Sequence, residues 1–170
     1  MADTDRTLSE PATQLFDRLD DLRAGMLGIE GSGQHMQPMS HYVDREGQTL
    51  YFITSAQTDL FKAIGNAGNT AHFTVQSTSQ DYYACMSGPI TQSMDEAKLD
   101  EIWSAMAAAW FEEGRQDPDV VLLQMPLREA AVWASSKNPF VFGLEILKGN
   151  RDGETADVGE HQVINFPAAA

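Results

Sequence analysis

The chain has 170 residues with 25 acidic and 11 basic side chains, a formal net charge of −14. That length suits one domain with a real core, and that charge argues against duplex nucleic acid or an anionic membrane as partner, since both bind through Lys and Arg. Cys85 stands alone, so no intrachain disulfide is possible; with no basic-then-apolar leader in Met1–Thr7 and no apolar run of membrane length, a soluble cytoplasmic protein is expected.

Residues 1–7 read as a polar end. Thr7–Arg23 reads as a helix, with Thr7-Leu-Ser-Glu10 resembling a capping box, Pro11 in the first turn and Leu15, Leu19 and Leu22 on one stripe. The period then changes to two. Met26–Ile29 and His35–Asp44 form a hairpin around Gly31-Ser-Gly33. Arg45-Glu-Gly47 makes a turn, and Thr49–Thr54 is a third strand rich in β-formers. Asp59–Ile64 suits a short helix ended by Gly65, Asn66 and Gly68. Thr70–Ser77 and Tyr82–Ile90 read as a second hairpin around Thr78–Asp81, with Ser87-Gly-Pro89 as the bend that ends the strand.

Ser93-Met-Asp-Glu96 is a capping box. The helix it opens carries Leu99, Ile102, Trp103, Met106 and Trp110 on one stripe and stops at Gly114. Val120–Met125 and Glu129–Ala134 are strands. Asn138-Pro139 opens a helix to Lys148. Residues 1–148 form the domain, and 149–170 an acidic, mobile tail. Hairpin-linked strands with helices at the ends predict a mainly β or α+β fold, an antiparallel barrel of six to seven strands. A parallel nucleotide-binding sheet is disfavoured, because most strands follow one another without a helical crossover.

Local chemistry is sparse. His35 and His41 are six residues apart, roughly 20 Å along a regular strand, and no zinc-type spacing occurs, so no metal is expected. There is no Gly-x-Ser-x-Gly and no Walker loop. Cys85 lies within a strand with no adjacent cation and reads as an inert thiol. No catalytic acid, base or nucleophile can be named. Trp103 and Trp110 have core spacing, yet Trp110-Phe111 at a helix end could equally wall a flat-ring pocket.

Leu99-Asp-Glu-Ile-Trp103, Ala109-Trp-Phe-Glu-Glu-Gly114 and Asp117-Pro-Asp-Val-Val-Leu-Leu123 resemble the general-stress-protein branch of the pyridoxamine 5′-phosphate oxidase-like flavin-binding proteins. Gln37-Pro-Met39, Leu50–Thr54, Tyr83–Gly88 and Ala131–Trp133 extend the resemblance, which runs from about Leu15 to Leu147. It implies a split β-barrel and a homodimer, with FMN or sometimes FAD in the groove between subunits. Carried onto this chain, the cofactor-binding positions are Gln37, Pro38, Met39, Phe52, Ile53, Thr54, Thr58, Leu60, Lys62, Trp110 and Phe111.

Two of these depart from the family pattern. An Arg usually precedes the Pro-Met pair, where this chain has Gln37. A Lys usually follows the Phe-x-Thr strand, where it has Leu60. Charge-assisted phosphate contacts are worth about 1.5–3 kcal/mol each, so losing two weakens FMN binding by several orders of magnitude. Lys62 is the nearest replacement but lies about 200° around a helix from position 60; the other is the helix start beside Thr58. Two functions follow: a flavin-dependent oxidoreductase of a small molecule, or a stress-response or binding module that has kept the barrel and lost FMN. Oxidation of pyridoxamine 5′-phosphate itself is disfavoured, since that anionic substrate also calls for basic residues.

Overall fold

The computed structural model describes residues 3–103, 105–109, 111–135 and 159–167. Helix α1 (Thr4–Ser9) and helix α2 (Pro11–Asp21) replace the single helix expected over Thr7–Arg23. The cause is Pro11: its ring disfavours helical backbone at the preceding residue, and Glu10 sits at φ −139°, ψ 51°. Thr7 is not a cap. Asp3 caps α1 by accepting from the Arg6 N–H, while the Thr7 hydroxyl is buried and donates to Gln14 Oε1 at 2.8 Å. Of the predicted stripe, Leu15 and Leu19 enter the core from α2 together with Phe16, whereas Leu22 is the extended C-cap and only half-buried.

Nine strands follow among the described residues: β1 (Ala24–Ile29), β2 (Gln37–Ser40), β3 (Tyr42–Asp44), β4 (Thr49–Ser55), β5 (Asn69–Gln76), β6 (Tyr82–Ser93), β7 (Val120–Pro126), β8 (Glu129–Ser135) and β9 (Gly159–Asn165). Helix α3 (Asp59–Ile64) lies between β4 and β5. Helices α4 (Glu96–Ile102) and α5 (Ala105–Ala108) lie between β6 and β7. The described strands form one sheet in the order β2-β1-β5-β6-β7-β4-β3, with β8 on β6 and β9 on β8. Every pairing is antiparallel.

Closure depends on β6. Its first half pairs with β8 through Tyr82–Ser87, and its far end pairs with β7 through Thr91–Ser93. The strand therefore does not end at Pro89, as the Ser87-Gly-Pro89 bend suggests, but bends there and continues to Ser93. Gly88 makes the corner possible. A Cβ at this position would lie 2.1 Å from the Pro126 carbonyl oxygen, so only a residue without a side chain lets the two chains pass.

Two further departures account for the strand count. The strand expected over His35–Asp44 is interrupted at His41, so β2 pairs with β1 while β3 pairs with β4 on the other side of the barrel. His41 is buried there, with Nε2 2.9 Å from the Leu19 carbonyl and its ring 5.2 Å from that of Phe73. The second is in the segment read as a mobile tail: residues 159–165 form β9 along the full length of β8, and Ile164 and Phe166 reach the core. The helix expected over Asn138–Lys148 lies outside the described residues.

The long tryptophan helix is also interrupted. Asp95, not Ser93, is the N-cap of α4, accepting from the Lys98 N–H at 2.9 Å. The helix ends with Trp103 extended at φ −62°, ψ 126°, and a separate short helix, Ala105–Ala108, follows it. Gly114, read as a helix stop, instead opens a 3₁₀ turn (Gly114–Gln116) at φ +60°.

The core is the barrel interior. Leu27, Leu50, Phe52, Phe73, Met86, Leu123 and Met125 are fully buried in it, covered at one end by α2.

Candidate functional site

The interruption at His41 shapes the site. As the chain crosses from β2 to β3 it leaves a groove against the end of β4, the cap of α3 and the α5 region. Pro38, Met39 and Ser40 line it from β2, Tyr42 from β3, and Ile53, Thr54 and Ser55 from β4. Thr58, Ala107 and Phe111 complete it around a cavity of about 300 Å3, the lower end of the range for small-molecule sites.

Each segment is held for a local reason. Alternation along β4 sends Leu50, Phe52 and Thr54 inward, leaving Ile53 and Ser55 towards the other face. Thr58 is the N-cap of α3: its hydroxyl accepts from the Phe61 N–H at 3.2 Å and donates to the Ser55 carbonyl at 2.8 Å. Thr54 Oγ1 lies 3.3 Å from Thr58 Oγ1, joining the hydroxyls of β4 and α3 on one wall. Phe111 closes the opposite side, its ring 5.9 Å from that of Trp103. The site is thus an apolar slot with a hydroxyl wall.

Of the positions carried over from the resemblance, Pro38, Met39, Ile53, Thr54, Thr58 and Phe111 meet in this groove. Others do not. Phe52 is wholly buried in the barrel core, because it faces the opposite side of β4 from Ile53. Leu60 is 2 % exposed and belongs to the same core. Lys62 points to solvent and pairs with Asp59 at 3.7 Å. Gln37 borders the groove without lining it, on the same side of β2 as Met39 by strand alternation. Trp110 lies outside the described residues. Sequence reasoning missed Ser40, Tyr42, Ser55 and Ala107. The serines adjoin residues that were found, whereas Tyr42 reaches the groove only because the strand breaks beside it.

No Lys or Arg is among the described residues lining the groove. Elsewhere among the described residues, Arg45 Nη1 lies 2.7 Å from Asp17, Lys98 Nζ 2.8 Å from Glu101, and Arg115 Nε 2.7 Å from Asp100. The two arginines, Arg6 and Arg45, that donate to the Asp17 carboxylate hold it below its ordinary range. Burial lowers the affinity of His41 for a proton, only partly offset by its bond to the Leu19 carbonyl.

Away from the groove, the outer sheet face carries Met26, Cys85, Tyr83 and Trp133, with the Trp133 ring stacked 4.9 Å from that of His161. Burial, with a further contribution from Glu129, pushes the Cys85 thiol up, so the thiolate is disfavoured. Among the described residues no three His, Cys, Asp or Glu side chains come together as a metal site. None of the described helices is long and apolar enough to cross a membrane.

The antiparallel barrel, open along one seam and grooved there, defines the class: a split β-barrel. Residues 10–157 match the family model described as pyridoxamine 5′-phosphate oxidase like. A candidate general stress protein 26 of Jannaschia sp. CCS1 is 35% identical, with a TM-score of 0.76 over 93% of this chain and 99% of that one. A candidate general stress family protein of Xanthomonas campestris pv. campestris is 28% identical, with a TM-score of 0.68 over 81% and 93%. The general stress FMN/FAD binding protein of Xanthomonas citri is 28% identical, with a TM-score of 0.69 over 76% and 92%. A search of curated proteins gave no match. The chain belongs to the pyridoxamine 5′-phosphate oxidase-like family, in its general-stress-protein branch.

Proposed function

We propose that this protein binds a flavin, FMN or FAD, in the groove between Met39 and Phe111 and acts as an oxidoreductase on a small molecule. One observation carries the reading. Pro38, Met39, Ile53, Thr54, Thr58 and Phe111, drawn from distant parts of the chain, converge on a single slot. These residues suit the ring system: Pro38, Met39, Ile53 and Phe111 offer apolar surface to a flat heterocycle, and Ser40, Thr54 and Ser55 offer hydroxyls to its polar edge and ribityl chain. A bound flavin would supply the electron transfer that no side chain here can perform. The chain's own part is to orient the ring and exclude water.

A homodimer belongs to the same proposal. Pro38 lies both in the groove and beside the outer sheet face, where Met26, Tyr83, Trp133 and Val163 are all more than a third exposed. A second copy packed on that face would extend the groove and cover its apolar strip.

The uncharged lining favours a second reading, a module that has kept the barrel and lost FMN. The visible spectrum of the purified protein, followed by titration with FMN and FAD, separates the two. A yellow protein, or micromolar binding of added flavin, supports the proposal. A colourless protein indifferent to millimolar flavin refutes it and leaves the second reading.

A further inference from the structure

We infer that the groove recognises a flavin by its ring and ribityl chain and is indifferent to its phosphate, so that unphosphorylated riboflavin belongs to its ligand class. The inference rests on the proposal that the groove binds flavin at all. It follows from where the charges of the described residues lie.

The two positions at which the family resemblance expects phosphate-binding cations are neutral, and they are neutral in different ways. Leu60 is a core residue at 2 % exposure, so its side chain points away from any phosphate and takes part in holding α3 to the barrel. Gln37 lies beside Met39 at the groove's edge and can offer an amide but no charge.

Among the described residues, the nearest replacements are committed elsewhere. Lys62 is paired with Asp59, at 3.7 Å, on the exposed side of α3. The Thr58 hydroxyl already makes two hydrogen bonds to backbone. The carboxylate of Asp59, next to Thr58, is largely exposed and paired with Lys62, so the start of that helix carries no net side-chain charge to draw in a phosphate. Lys98 and Arg115 carry acidic partners of their own. A phosphate placed at this end of the groove would meet hydroxyls and a paired acidic residue. The ring and the uncharged ribityl chain lose nothing from that arrangement, since their contacts are apolar surface and hydroxyls.

The test is a titration of the full chain with riboflavin and with FMN, followed by quenching of flavin fluorescence at low and high salt. The two ligands are expected to bind within about threefold of each other, and salt is expected to leave their ratio unchanged. A cationic phosphate cradle would instead make FMN tighter by about tenfold or more at low salt, with the gap closing as salt rises. That result would overturn the inference and leave the proposed function standing, whereas failure of both ligands to bind would overturn the two together. Gln37→Arg supplies the second arm. It is expected to raise the preference for FMN over riboflavin about tenfold at low salt; an unchanged ratio would overturn the attribution of indifference to this residue.

Discussion

Leu60→Lys tests whether this chain could regain a phosphate-binding cation simply by mutation. Leu60 is 2 % exposed and packs with Ile64 in the barrel core. Removing a buried leucine from such a position forfeits about 1.5–3 kcal/mol of apolar burial. An ammonium introduced there without a partner adds about 1–3 kcal/mol more, even if the long stem carries its end part of the way to solvent. Together the substitution should cost about 2.5–6 kcal/mol, a large share of the stability of an ordinary domain. For a chain of this length each kcal/mol moves the melting temperature by about 2–4 °C. Differential scanning calorimetry of the purified variant should therefore show a fall of about 5–24 °C, with no gain in FMN over riboflavin affinity. A variant within about 2 °C of wild type that also prefers FMN would refute the reasoning. It would mean that position 60 faces the groove and that its burial is readily rearranged.

Phe111→Ala, which removes the aromatic wall of the groove, should weaken binding of added flavin about 5- to 30-fold in a fluorescence titration; an unchanged dissociation constant would place the ring elsewhere. Gly88→Ala should lower stability by about 2–3 kcal/mol or more in urea unfolding, because its Cβ would meet the Pro126 carbonyl oxygen at 2.1 Å. His41 is buried as the neutral imidazole, with its affinity for a proton lowered by burial. A base depressed in this way stabilises the fold above its ordinary titration range, and that contribution is lost as pH falls through the folded-state value. Urea midpoints should therefore drop on the acid side of pH 6.5 in the wild type, and less steeply in His41→Gln. Parallel curves for the two proteins would assign the acid sensitivity to other groups, such as Asp17 losing its pairs with Arg6 and Arg45.

Much of the fold was legible because it is locally encoded. Gly65 as terminator ends α3, and a run of β-formers marks β4. What sequence could not show depends on partners far along the chain. The interruption at His41 involves the carbonyl of Leu19, 22 residues earlier. The corner at Gly88 is set by Pro126, and β9 looks like tail until β8 is beside it. Glu10 is different: the proline after it was visible, but its effect on the preceding residue was outweighed by an apparent capping box.

The site divides in the same way. Short segments identified through the resemblance did converge, so Pro38-Met39 and Ile53-Thr54 were legible as blocks. Within the β4 block, Phe52 is core beside Ile53, whereas Thr54, on the same side of the strand as Phe52 but nearer its end, lines the groove. Ser40 and Tyr42 needed the strand break, and Ala107 needed the packing of α5, none of which a local pattern carries. The neutrality of the groove was the reverse case. Gln37 and Leu60 signalled it from sequence, and the structure added that Lys62 is paired with Asp59 on the exposed side of its helix.

The most direct test of the central claim is the crystal structure of the protein soaked with flavin. The account predicts density for the three-ring system in the slot bounded by Met39, Thr54 and Phe111. Density on the Tyr83 and Trp133 face of the sheet, with that slot empty, would contradict it.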